Sequence, residues 1–232
     1  MKIAIVQPYF FPYIGYFQLI NAVDKFVIYD DVNFIKKGWI NRNFFLSNDE
    51  AKLITIPCIK ISQNKKINEI EVGLNLKNKQ NIFESLSKYY HRAPCFNDIF
   101  PMIERVINST VKNIGEFSYN SIVEICEHLN INTQIIKTST IFNNSDLKRE
   151  DRLINICKKT KCYHYINPIG GTKIYSKEYF QSKGIKLNFI KSKYIKYEQY
   201  TNTFIPNLSI IDVLMFNTKN QAQEYLEEYN LI

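Results

Sequence analysis

Apolar residues run without a break from Ile3 to Val6 and stop at Gln7-Pro8, the pattern of a short buried strand ending in a proline-fixed turn. From Ile14 to Val23 the spacing changes, and Ile14, Phe17, Leu19, Ile20 and Val23 recur at helical intervals around Gly15. A second apolar run, Lys25 to Tyr29, closes on Asp30-Asp31. Strand, loop, helix and strand within about 30 residues predict a βαβ unit with parallel strands and a right-handed crossover.

Lys52 to Ile56 predicts another strand, ended by Pro57. Between residues 74 and 130 the period is helical: Ile82, Leu86 and Tyr90, then Ile99, Ile103 and Val106, then Ile122, Ile125 and Leu129. Breaks at Ala93-Pro94 and Gly115 divide this stretch into three helices, expected to form an insertion or cap. The alternation then resumes. Strands are expected at Thr133 to Thr138, Cys162 to Ile166 and Lys186 to Ile190, with helices at Arg149 to Lys159 and Ser176 to Ser182. Asn207 to Asn217 and Gln221 to Tyr229 predict a closing helical pair. Strands interleaved with helices at both ends predict one α/β domain over residues 1–232 with a mostly parallel sheet.

Composition narrows the class. With 16 Tyr, 16 Phe and a hydrophobic fraction of 45%, the chain can bury a core without disulfides or metal. Its five cysteines form no C-x-x-C pair and its three histidines stand alone, so no metal site is expected. The cysteines read as small buried hydrophobes of a reducing compartment. The run after Met1 is too short for a signal peptide, and no segment holds 18 uninterrupted apolar residues. A cytoplasmic protein with no membrane insertion is the expectation. The formal charge of +8 comes from lysines scattered along the chain. It fits either a solvated basic surface or a phosphate-bearing partner such as a nucleotide-sugar, ATP or RNA.

In open parallel sheets ligands bind beyond the carboxyl ends of the strands, which selects three segments. The first runs from Gln7-Pro8-Tyr9 through Tyr13 to Gly15-Tyr16, a proline-stiffened aromatic loop with an amide at the strand tip. The second, Asp30-Asp31 to Asn43, couples paired carboxylates with Lys37, Asn41, Arg42 and a lone Trp39. Those carboxylates could orient an amine or hold a cation, or simply cap a helix. The third, Asn167 to Tyr175, contains Gly170-Gly171 ahead of a helix, which is either an anion cradle or a plain turn. Near the end, Asn207 is expected to cap a helix in which Asp212 sits among Ile210, Ile211, Val213 and Leu214. No Ser/His/Asp or Cys/His set is evident, and His91 in its helix-ending loop reads as structural.

The opening Ile3 to Tyr16, with Val27 to Val32, Asn41-Arg42-Asn43, Ala93 to Phe96, Arg152-Leu153-Ile154, Tyr165 to Tyr175 and Phe204 to Asp212, resembles the WbqC-like family. The likeness holds in order along nearly the whole chain, with two departures. Val6 stands where family members often carry His, and Asn167-Pro168-Ile169 replaces a Ser-Gly-Pro type sequence. The resemblance implies bacterial surface-polysaccharide (O-antigen) biosynthesis and transfer of a glycyl or aminoacyl group to an amino sugar. Gln7-Pro8, six residues and Gly15 also resemble the first motif of tryptophanyl-tRNA synthetase, which implies a Rossmann-like nucleotide-binding sheet and a loop that cradles ATP.

The expected function is therefore a transferase acting on a nucleotide-linked amino sugar. Asp30 or Asp31 would orient the amine and Gln7, Lys37 and Arg42 would hold the donor or its phosphates. Pro8, Tyr9, Tyr13, Gly15, Tyr16, Asn41, Gly170, Gly171, Tyr175, Asn207 and Asp212 would complete the binding surface. ATP and charged tRNA remain open as sources of the activated group, and ATP is the one cofactor candidate. A non-catalytic nucleotide-sugar or nucleic-acid binding module and a nucleotidyl transferase are the alternatives.

Overall fold

The structure is a computed structural model describing residues 1–232, and it contains the expected βαβ start: β1 (Lys2–Val6), α1 (Ile14–Asn21) and β2 (Lys25–Ile28). The chain then leaves the sheet through a hairpin, β3 (Arg42–Ser47) and β4 (Glu50–Thr55), and a two-residue pair, β5 (Cys58–Ile59) and β6 (Glu71–Val72). Three helices follow: α2 (Leu76–Tyr90), α3 (Phe96–Asn108) and α4 (Ile114–His128). The chain returns as β7 (Gln134–Ile136), α5 (Arg149–Lys159), β8 (His164–Pro168), α6 (Lys177–Ser182) and β9 (Lys186–Ser192). It ends with α7 (Ile210–Phe216), α8 (Lys219–Tyr225) and β10 (Tyr229–Leu231).

Six strands form the central sheet in the order β10-β9-β8-β1-β2-β7. Every neighbouring pair is parallel except β9 with β10. Because β2 lies on one side of β1 and β8 on the other, the strand order reverses at β1, and ligands favour such a switch point.

Alternation along the strands builds the layers. Ala4, Val6, Phe26, Ile28, Ile166 and Ile190 face a large core shared with α1, α2, α3, α4, α7 and α8. Ile3, Ile5, Val27, Tyr165, Leu187 and Phe189 face the opposite way, onto Leu153, Ile156 and Phe180 of α5 and α6. The sheet is thus buried on both faces, as its nearly continuous apolar strands require. No helix is long and apolar enough to cross a membrane.

Four strands, β3, β5, β6 and β10, lie where none was predicted. Arg42–Ser47, over which no strand was predicted, pairs with β4 through Asn48-Asp49. Both turn residues have positive φ, the geometry of a two-residue type I′ turn. The strand tolerates Asn43 on its buried face because that amide is fully engaged, as shown below. The second helix of the closing pair stops at Tyr225 rather than Tyr229. The buried Gln18 donates to the carbonyls of Tyr225 and Glu228 (2.8 and 3.0 Å), fixing a turn from which β10 joins the sheet.

Candidate functional site

The loop leaving β1 is shaped from within. Asn43 donates to the carbonyls of Phe10 (3.2 Å) and Phe11 (2.7 Å), and Ser209 donates to Phe11 O at 2.8 Å. Ser121 Oγ accepts from Phe11 N–H at 3.2 Å. These bonds hold Phe11 at φ +38° and drive the Phe10 and Phe11 rings into the core. Tyr9 and Tyr13 are left at the surface of the loop. With Pro12, Trp39, Asn43 and Asn207 they enclose a cavity of about 290 Å³. Trp39 is 44% exposed and Tyr13 38%.

Gly15 is required here. A Cβ at this position would lie 2.4 Å from both Ser192 Oγ and a Tyr13 ring carbon, so only glycine lets Tyr13 fold over the start of α1. That close approach is to the protein's own Tyr13 and Ser192. Burial raises the phenol pKa of Tyr9, and that of Tyr13 despite the opposing effect of the Ser192 hydroxyl, so near neutral pH both are hydrogen-bonding groups and not bases. Tyr16 is buried and donates to Gln7 O at 3.0 Å. The half-buried Gln7 side chain, by contrast, enters no hydrogen bond.

Asp30 and Asp31 lie at the carboxyl end of β2 but line none of the main cavities. Asp30 Oδ1 accepts from Thr138 Oγ1 (2.8 Å), Ser139 N–H (3.0 Å) and Ser139 Oγ (3.2 Å). Asp31 accepts from Ser139 Oγ and from the Arg152 guanidinium in an ion pair whose side chains are 5% and 7% exposed. Arg152 also donates to Asn144 Oδ1 (3.1 Å) and Asp31 O (3.4 Å), and stacks 4.8 Å over the Tyr29 ring. Burial pushes the Tyr29 phenol up to about 12 although Arg152 opposes the shift. This cluster ties β2 to α5 and to the turn after β7, and it engages Oδ1 of Asp30 and both carboxylate oxygens of Asp31.

The remaining expected residues separate into free and engaged groups. Lys37 is exposed at φ +61°. Arg42 instead donates to Gly38 O (2.9 Å) and Lys37 O, fixing the turn that presents Trp39. Asn41 is buried and donates to Ile56 O at 2.8 Å, and Pro8 is buried. Asn207 is exposed at φ +58° and lines the cavity; the helix cap expected of it is Ser209, whose Oγ accepts from Ile211 N–H at 3.3 Å. Asp212 is fully buried, and burial raises its pKa against the hydrogen bonds of Tyr197, Gln199 and Tyr90.

Gly170 and Gly171 enter a short 3-10 turn, Ile169–Lys173, and do not open α6, which Ser176 caps through Tyr179 N–H at 3.1 Å. Tyr175 is half-buried on a shallow depression with Lys173 and Lys177. The two glycines differ sharply. A Cβ on Gly171 would meet Asn167 Oδ1 at 2.1 Å, whereas one on Gly170 meets nothing within 4 Å. Gly171→Ala is therefore expected to lower the melting temperature and Gly170→Ala to leave it unchanged in a calorimetric scan. A loss of activity in Gly170→Ala at unchanged stability would mark that backbone as a ligand contact.

Other chemistries find little support in the geometry. Burial holds the thiols of Cys58, Cys126 and Cys157 up near 12, far from a reactive thiolate. No three His, Cys, Asp or Glu side chains converge closely enough to hold a metal ion. Of the expected residues, the cavity gathers Tyr9, Tyr13 and Asn207, and adds Pro12, Trp39 and Asn43. None of Gln7, Gly15, Asp30 and Gly170 lines this cavity.

A profile of the WbqC-like protein family matches residues 7–224, a span containing every wall of this cavity. The chain belongs to the WbqC-like protein family. Over 228 residues it is 30% identical to a Mycobacterium tuberculosis (strain ATCC 25618 / H37Rv) protein named "Uncharacterized protein Rv1507c", with 97% of each chain covered. No solved structure matches this WbqC-like chain.

Proposed function

We propose that this protein is a transferase that places a glycyl, aminoacyl or related acyl group on the amine of a nucleotide-linked amino sugar. The carrying observation is the Tyr9–Tyr13–Trp39 cavity with amides from Asn43 and Asn207 in its wall. Aromatic faces pack against the C–H face of a sugar ring while the exposed Asn207 amide meets its hydroxyls, and about 290 Å³ lies near the lower end of small-ligand pockets. Lys36 and Lys37 are exposed, form no ion pair and stand just before Trp39 in the chain, which supports a role for them in meeting a diphosphate. The strand order β7-β2-β1-β8-β9 supports a Rossmann-like, nucleotide-binding reading of the sheet. Residues 74–130 are read as a helical cap within one domain of residues 1–232, and the proposed substrates point to the cytoplasm.

Acyl transfer to an amine makes modest demands on the protein. The neutral amine attacks the activated carbonyl, the leaving group departs with the bonding pair, and the amine proton passes to solvent. A cavity without a carboxylate or histidine suits this nucleophile better than it suits a hydroxyl or water, which need a general base. An ATP-derived adenylate or a charged tRNA would supply the activated carbonyl. The same absence of an acid–base group favours a second reading, a non-catalytic nucleotide-sugar binding module.

Trp39 is the only tryptophan, so its fluorescence reports on this cavity directly. Titration with a uridine-diphosphate amino sugar is expected to change that emission, and Tyr13→Ala to weaken binding by about 1–2 kcal/mol. Product formation with glycine and ATP, or with charged tRNA, supports the transferase. Binding without turnover of either donor assigns the module reading. An emission that no sugar nucleotide perturbs removes both.

A further inference from the structure

A second recess lies away from the aromatic cavity and shares none of its walls. It holds about 490 Å³ between the β3–β4 turn, the end of α2, the segment after β9 and the end of α7. Its walls include Lys88, His91 and Arg92, with the rings of Tyr89, Tyr200 and Phe216. Lys52 approaches from β4, its Nζ 5.5 Å from the Tyr89 ring centre and 3.5 Å from the Tyr89 hydroxyl. Lys88 Nζ lies 5.9 Å from the same ring centre. Lys52, Lys88 and Arg92 take part in no ion pair. The carboxylate in the wall, Asp49, accepts a hydrogen bond from Asn202 at 3.2 Å. Tyr200 is 57% exposed and rests edge-on against Phe216, their centroids 5.1 Å apart.

Complementing the carboxyl end of α2 accounts for Lys88 and Arg92. It does not account for Lys52, which arrives on a different element, nor for an exposed tyrosine delivered by the segment after β9. Unpaired cations beside open aromatic faces are the complement of a phosphate joined to a planar base. We infer that this recess binds a nucleotide, its phosphates against Lys52, Lys88 and Arg92 and its base against Tyr200. The volume suits one nucleotide and leaves the recess open to a free one or to the end of a strand.

The test is isothermal titration of the full chain with ADP, with inorganic phosphate, and with a short 5′-phosphorylated oligouridylate. ADP is expected to bind more tightly than phosphate alone. Lys88→Ala/Arg92→Ala should weaken ADP about tenfold or more and flatten its salt dependence. Tyr200→Ala should weaken ADP severalfold without changing phosphate binding. All three positions are exposed, so unchanged melting curves will show that the fold is kept. Trp39→Ala should leave ADP affinity at this recess intact, separating it from the sugar cavity. Competition between ADP and the oligonucleotide identifies a strand end as a second source of the same ligand. Failure of ADP to bind, strand binding without ADP binding, or ADP affinity indifferent to Lys88→Ala/Arg92→Ala overturns the inference.

Discussion

Asp212→Ala is expected to lower unfolding free energy by about 3–5 kcal/mol, with each buried donor left unpaired costing about 1–3 kcal/mol before relaxation. The carboxylate accepts from Tyr90 Oη at 2.9 Å, Tyr197 Oη at 2.6 Å and Gln199 Nε2 at 2.7 Å, and is itself 0% exposed. Tyr90 Oη accepts in turn from Leu46 N–H on β3 at 2.9 Å, and Gln199 brackets Ile205 through both ends of its amide. One carboxyl group therefore fastens α2, α7, the β3 hairpin and the segment after β9. Denaturant unfolding of Asp212→Ala should show the loss directly, against a total near 5–15 kcal/mol for ordinary domains.

The same residue sets a pH dependence. Burial raises the folded pKa of Asp212 above its ordinary value. The folded state thus holds this proton more tightly than the unfolded chain does. Its stabilising contribution is complete below the ordinary aspartate range and is lost as pH rises through the raised folded value. Asp212→Asn removes that titration. The stability of the native chain relative to Asp212→Asn should fall as pH is raised over that window in paired thermal melts. A relative stability that rises over the window contradicts the assignment.

The sheet was legible because its period was clean. Ile3 to Val6, Lys25 to Tyr29 and Lys186 to Ile190 carried apolar runs that only doubly covered strands explain, and the Arg149–Lys159 helix kept its expected bounds. β3 was not legible, because Asn41, Arg42 and Asn43 read as surface chemistry while two of them turn inward to backbone carbonyls. Sequence spacing cannot distinguish an amide that awaits a ligand from one that braces a loop. Asp30-Asp31 carried the same ambiguity, because their partners Thr138, Ser139 and Arg152 lie more than a hundred residues away. The candidate cavity was legible only in part. Tyr9 and Tyr13 stood out as aromatics at a strand tip, but the loop turned Phe10 and Phe11 inward through contacts with α4 and α7 that no local pattern announces.

Arg152→Ala is expected to destabilise the fold by about 3–5 kcal/mol, because it strands the Asp31 carboxylate in a buried site. The loss should appear in urea midpoints, with little change in the slope. Removing both charges is a different experiment. Asp31→Leu/Arg152→Met keeps the volume near the original and leaves no uncompensated ion, so much of the lost stability should return. Recovery will be incomplete because Ser139 and Asn144 also lose partners. The pair of variants then decides what Asp31 does. If its part is to lock β2 against α5, the doubly substituted chain regains both its fold and its binding of sugar nucleotide, with turnover following stability. If Asp31 contacts the reacting amine, that chain folds and binds but stays inactive, since leucine restores packing and no acceptor. The network of Ser139, Arg152 and Asn144 around the carboxylate favours the first result, and single-turnover rates on the refolded double variant will distinguish the two.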